Sequence, residues 1–133
     1  MQAYLTFNGN CAEAFAFYAQ ALNGKITFTQ TFGESPMAAQ MPAALHGRVM
    51  HSSLEAMGLT LMGSDGMPDM PHEGFKGFSL SVQGKTVEDG QRLFDALSHG
   101  GQVSMPFAPT FWAKGFGMLV DKFGVPWMVN CEH

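Results

Sequence analysis

His51, Ser53 and Glu55 alternate along a stretch that reads as a β-strand, Arg48 to Ala56, and so point to one side of it. Val49 shares that side, whereas Met50, Ser52, Leu54 and Ala56 point the other way. An imidazole titrates near neutrality, so His51 could serve as a general base or hydrogen-bond a substrate, with Glu55 further along the same face to orient it. The plainer alternative is a half-exposed histidine satisfied within a sheet. His51 and Glu55 alone supply too few ligands for a metal ion. Trp112, in Pro109-Thr110-Phe111-Trp112-Ala113, offers a wall on which a planar or apolar ligand stacks, or else packs a core or a dimer interface. Tyr4 and Thr6 share a face of the first strand, and Ser79 and Ser81 share one opposite Phe78, Leu80 and Val82. These side chains could line a cavity; solvated or structural roles remain open for the serines.

Other reactive residues point to less. Cys11 and Cys131 lie at opposite ends, fit no metal or disulfide spacing and have no histidine or helix terminus to activate them, which predicts reduced thiols. The acidic residues form no close pair suited to hydrolysis, and no serine sits in a nucleophile elbow. Met37, Met41, Met57, Met62, Met67 and Met70 gather in the first half without a regular array, so they read as flexible apolar filling. Trp127 reads as core, and His46 and His72, in Gly/Pro-rich stretches, as exposed.

The elements that must position these residues come in two copies. Asn10 to Tyr18 leads through Ala21-Leu22-Asn23-Gly24 into Lys25-Ile26-Thr27-Phe28, and Thr86 to Phe94 leads through Ala96 to Gly101 into Gln102-Val103-Ser104-Met105. Phe17 then matches Phe94 and Gly24 matches Gly101, a spacing of 77 residues. Each copy is a capped helix, a glycine stop and a strand. In the first, Asn10 and Glu13 form a capping box, and Ala14, Phe17, Tyr18 and Ala21 make the buried stripe; Thr86 and Asp89 give the second, weaker cap. Strands are expected over Ala3 to Phe7, Lys25 to Phe32, Gly77 to Val82 and Gln102 to Phe107. Hairpins are expected at Arg48–Ala56/Leu59–Ser64 and Gly115–Val120/Pro126–Cys131. Gly33 to Gly47 has no clean period and reads as a mobile loop. The order β-α-β-β-β, twice, predicts an α+β fold with helices on one side of the strands and a cavity on the other.

Composition sets the limits. The chain has 133 residues, 14% of them charged, a net charge of −4 and seven scattered Lys and Arg residues, so no basic stripe can follow a phosphate backbone. It holds no apolar run of membrane-spanning length and no signal-peptide pattern, and a cytoplasmic location is expected.

Tyr4-Leu5-Thr6-Phe7-Asn8-Gly9-Asn10, Phe17-Tyr18, Met50-His51, Leu61-Met62-Gly63-Ser64-Asp65 and Thr110-Phe111-Trp112 resemble the PhnB-like proteins. Phe116-Gly117-Met118, Asp121-Lys122-Phe123-Gly124-Val125-Pro126-Trp127 and Asn130 continue the match, which covers essentially the whole chain. That group belongs to the glyoxalase, bleomycin-resistance and extradiol-dioxygenase superfamily, also called vicinal oxygen chelate. The resemblance implies paired βαβββ modules, about residues 1–66 and 77–133 with a linker over 67–76, forming one glyoxalase-like domain with a curled mixed sheet around a cavity. It implies a homodimer, and a pocket role for Asn130, whose amide could equally satisfy a strand end. The superfamily holds a divalent metal by His and Glu on its first, fourth, fifth and eighth strands. Here those positions fall near Ala3 or Tyr4, Met62 to Ser64, Gly77 to Ser79 and Met128 to Asn130, and none is His or Glu, so no metal or other cofactor is expected. The methyltransferase description attached to the group finds no Gly-rich strand-to-helix turn here. The expected function is binding of a small apolar or aromatic molecule in the cavity of the paired modules. The alternative is a superfamily enzyme of isomerase, lyase or dioxygenase type, using His51-centred acid–base chemistry or an unconventional metal site. A purely structural dimer module is disfavoured by the long Gly33–Gly47 loop.

Overall fold

The computed structural model describes residues 1–67 and 69–133, so Pro68 of the expected linker lies outside the described residues. The chain forms two compact units, Met1–Glu73 and Gly74–His133. The first holds strand β1 (Ala3–Thr6), helix α1 (Cys11–Ala21) and strands β2 (Lys25–Thr31), β3 (Val49–Ala56) and β4 (Leu59–Ser64). The second repeats that order with β5 (Leu80–Gln83), α2 (Val87–Ser98), β6 (Gln102–Ala108), β7 (Gly115–Val120) and β8 (Pro126–Cys131). Each unit has an open four-stranded mixed sheet, ordered β1-β4-β3-β2 or β5-β8-β7-β6. The first strand runs parallel to the last in each sheet, and the other pairs are antiparallel. The fold is α+β, with one helix per sheet.

Each core lies between a helix and one sheet face. In the first unit Leu5, Phe7, Phe15, Tyr18 and Leu54 are fully or almost fully buried, and a Cβ added to Gly63 would come 2.8 Å from the Phe15 ring. In the second, Val82, Leu93, Phe94, Leu97, Leu119, Trp127 and Val129 fill the equivalent layer, and a Cβ on Gly117 would come 2.6 Å from Phe94. Trp127 is core, as expected, and its indole N–H donates to Asp121 Oδ2 at 2.8 Å. The burial pattern corrects the helix alignment. Cys11, Ala14, Phe15 and Tyr18 match Gly90, Leu93, Phe94 and Leu97 at a spacing of 79 residues, so Phe15, not Phe17, is the partner of Phe94. Gly24 and Gly101 keep the spacing of 77 residues, and each is pressed against the end of a strand, Glu55–Ala56 or Val120–Asp121.

Three further expectations are corrected. The Asn10–Glu13 capping box does not form. Asp65, beyond the end of β4, takes its place: Oδ1 accepts from Gly9 N–H and Cys11 N–H, both at 2.9 Å, and Oδ2 from Val49 N–H at 2.8 Å. A carboxylate at a helix start suits both the free amides and the dipole. The second helix is capped locally, as expected, with Thr86 Oγ1 accepting from Asp89 N–H at 3.0 Å. Second, the Gly33–Gly47 loop is organised. It makes 3-10 turns at Phe32–Glu34, Ala38–Gln40 and Ala43–Leu45, and the half-buried His46 pins them by donating from Nε2 to Ala38 O and Met41 O at 2.9 and 3.1 Å. Third, β5 starts at Leu80, so Ser79 precedes the strand and is not part of it.

Candidate functional site

On the sheet face away from α1, one row runs across all four strands of the first unit: Tyr4 pairs with Met62, Met62 with Ser53, and Ser53 with Phe28. Beside it, His51 pairs with Gln30. Strict alternation from Ile26, which faces the buried Leu54, would turn Phe28 toward the helix; a register shift between Ile26 and Phe28 re-aims its ring to the open face.

Three of the expected site residues meet here. Tyr4 Oη lies 2.9 Å from His51 Nδ1, and Ser53 Oγ lies 3.3 Å from His51 Nε2. The imidazole therefore sits in a hydroxyl–imidazole–hydroxyl chain. Its ring centroid is 5.5 Å from that of Tyr4 and 5.9 Å from that of Phe28, both tilted. Tyr4 and Phe28 are each about half exposed, at 49% and 48%, so two aromatic rings and a polar relay stand together at the surface of this unit. Desolvation holds the Tyr4 phenol above its ordinary value, so it stays a protonated donor at neutral pH.

Glu55 does not orient His51, because both ring nitrogens are occupied by hydroxyls. It stands opposite Lys25 and borders a separate groove of about 500 Å³, with Asn23, Met57, Leu59 and Thr60. Thr6, at the end of β1, accepts through its carbonyl from His72 Nε2 at 2.9 Å. Cys11 begins α1, a helix-start context that the sequence reading missed, yet burial first and then the Asp65 carboxylate push its thiol up to about 12. It is no nucleophile at neutral pH.

The second unit presents a different face. The row equivalent to Tyr4–Met62–Ser53–Phe28 is Ser81–Met128–Met118–Met105. Trp112 is 48% exposed, with its ring 4.7 Å from the 93% exposed Phe111 and 5.4 Å from Phe116. Asn130 is half-buried on β8: Nδ2 donates to Gln83 Oε1 at 3.1 Å, and its buried Oδ1 has no hydrogen-bond partner among the described residues. Ser79 is half-buried just ahead of β5. The residues missed by sequence reasoning are Phe28 and Asp65. The bulge that exposes the first had no local signal, and the second acts on a helix 54 residues away.

Comparison with known proteins bears on this arrangement. Residues 1–130 match the family described as 3-demethylubiquinone-9 3-methyltransferase. The chain is 38% identical to protein YjdN of Escherichia coli K12, over 98% of this chain and 93% of that one. Protein PA1353 of Pseudomonas aeruginosa superposes with a TM-score of 0.91 at 48% identity, covering 99% and 96% of the two chains. The PhnB protein of Bacillus cereus does so at 0.82 with 26% identity, covering 98% of each. At the level of fold alone, fosfomycin resistance protein FosX of Listeria monocytogenes gives 0.66 at 11% identity, over 100% of this chain and 92% of that one.

Proposed function

The chain belongs to the 3-demethylubiquinone-9 3-methyltransferase, or PhnB-like, family of the glyoxalase and bleomycin-resistance fold, and from that premise we propose that it binds a small apolar or aromatic molecule without the superfamily metal. The carrying observation is the open face of the first unit, where the Tyr4–His51–Ser53 relay adjoins the exposed ring of Phe28 and the thioether of Met62. A few convergent polar groups beside aromatic surface are what orient and desolvate a small ligand. Taken by itself, the second unit has its own contact candidates in Trp112 and Asn130.

The donor set argues against a divalent metal. At the superfamily's ligand positions this chain offers a phenol at Tyr4, a thioether or hydroxyl at Met62 to Ser64, a hydroxyl at Ser79 and an amide at Asn130, which do not suit Zn, Mn, Fe or Ni as imidazole and carboxylate do. Methyl transfer gains no support either. The turn before α1 has its Gly9 N–H taken by Asp65, and Gly84, before α2, packs against the backbone of Gly90. A homodimer completes the reading. Its support is β6, an edge strand with Val103 and Met105 exposed, since unpaired strand edges favour association.

The test is a thermal-shift screen of small aromatic compounds followed by calorimetry on the wild type and His51→Ala. We expect binders whose affinity falls about tenfold or more in the variant, while unfolding free energy changes by less than about 1 kcal/mol. Binders indifferent to the substitution, or none at all, would contradict it. A second reading, acid–base catalysis on the same face, draws on the relay's capacity to pass a proton between Tyr4 and Ser53 through His51. Turnover of any binder found would favour it.

A further inference from the structure

The relay restricts what the site can offer a ligand. A neutral imidazole carries one N–H and one bare nitrogen. With Nδ1 bare, Tyr4 donates to it and Nε2–H donates to Ser53, so Ser53 alone keeps a hydroxyl hydrogen for a ligand. In the other tautomer the roles exchange, and Tyr4 alone keeps one. Either way a single hydroxyl hydrogen faces outward. A protonated imidazole donates from both nitrogens and frees both hydroxyls, leaving two donors flanking a positive charge.

The surroundings leave that charge without a carboxylate partner on either ring nitrogen. Among the charged and titratable groups on the elements around His51, Glu55 lies further along β3 opposite Lys25 of β2. Arg48, ahead of β3, donates to Asn8 Oδ1 and Asp65 O. The Asp65 carboxylate, past β4, is committed to three backbone N–H groups. Glu34, after β2, is held by Thr31, and His72 bonds the carbonyl of Thr6. From β1, Tyr4 faces His51 directly.

Resting on the small-molecule reading above, we propose that this face takes an aromatic carboxylate, whose oxygens accept from Tyr4 and Ser53 once His51 is protonated and whose ring lies against Phe28 and Met62. Binding then takes up one proton on His51. The proton comes from solvent and no covalent bond changes. An aromatic carboxylate stays ionised above about pH 5, so over that range a fall in pH adds charge on the protein's side of the contact and not on the ligand's. Affinity for the carboxylate therefore rises as pH falls across that range.

The test uses the full chain with two probes, 2-naphthoate and its neutral amide 2-naphthamide, titrated calorimetrically at about pH 5.5 and about pH 8. The expected result is naphthoate binding at least about tenfold tighter at the lower pH, naphthamide binding that does not respond to pH, and loss of the naphthoate response in His51→Gln. Should that variant misfold, Ser53→Ala serves instead and is expected to weaken naphthoate selectively at the lower pH. Equal, pH-indifferent affinity for the two probes would overturn the carboxylate inference while leaving the small-molecule reading standing. Binding of neither probe by the folded protein would overturn both.

Discussion

Across the first sheet a single open-face row reads Tyr4, Met62, Ser53, Phe28; across the second, the same row reads Ser81, Met128, Met118, Met105. The backbone beneath is repeated even in its irregularity, since the register shift that re-aims Phe28 recurs between Val103 and Met105. One unit thus displays a polar relay edged by aromatic rings, and the other a serine followed by three thioethers, which are soft and adapt to irregular shapes. The difference teaches that topology fixes where side chains point, while a few residue choices decide whether a face orients a ligand or merely conforms to it. The helix starts differ in the same way. Asp65 reaches α1 from the end of β4, the neighbour of β1 in the sheet but 54 residues on from Cys11 in the chain, whereas Thr86 caps α2 from the adjacent residue.

The contrast between the two caps gives the largest expected effect. Asp65→Ala would strand three N–H groups, those of Gly9, Cys11 and Val49, and should cost about 3 kcal/mol or more in chemical unfolding. Thr86→Ala should cost only about 1 kcal/mol, and Asn10→Ala, which removes no cap, less than about 0.5 kcal/mol. Equal losses at Asp65 and Thr86 would break the distinction. The symmetry itself is tested by Gly24→Ala and Gly101→Ala. Each added methyl runs into a strand end, and each should destabilise by about 1–3 kcal/mol, with similar values for the pair.

Smaller still is a pH effect confined to the second unit. The Lys85 N–H, and then the Arg92 side chain, hold the Asp89 carboxyl below its ordinary value. A depressed folded value means that the stabilisation is present above the ordinary carboxylate range, about pH 4, and is lost as pH falls through the lowered value. The stability difference between wild type and Asp89→Asn should therefore be measurable at pH 6 and vanish near pH 2. A difference that persisted to the acid limit would contradict this assignment.

Much of the backbone was legible in the sequence. Both hairpins, both helices and the β-α-β-β-β order follow from alternation, glycine stops and periodicity, because those signals are local. His51 and Ser53 were also visible as neighbours on one face, since strand geometry alone places them there. The relay's third member was recognisable only as a lining candidate. Tyr4 lies 47 residues from His51, and the parallel β1–β4 pairing that brings them together leaves no mark in either segment. Sharing a face does not say which groups fill the two ring nitrogens, so the pairing of Glu55 with Lys25 and of His51 with two hydroxyls is not legible from alternation. The Asn10–Glu13 motif was a sound local signal overridden by a better placed carboxylate from another strand. The loop before β3 looked unstructured because its order comes from one imidazole bonding two carbonyls, a pattern without periodicity.

The most direct test of ligand binding at the relay is a heteronuclear NMR titration of the labelled protein with an aromatic binder taken from the thermal-shift screen. The account predicts that the largest shift changes fall on the His51 ring nitrogens and on Tyr4, Ser53, Phe28 and Met62. Changes confined to Met105, Met118, Met128 and Trp112, with the His51 ring unaffected, would place the ligand on the other unit and contradict it.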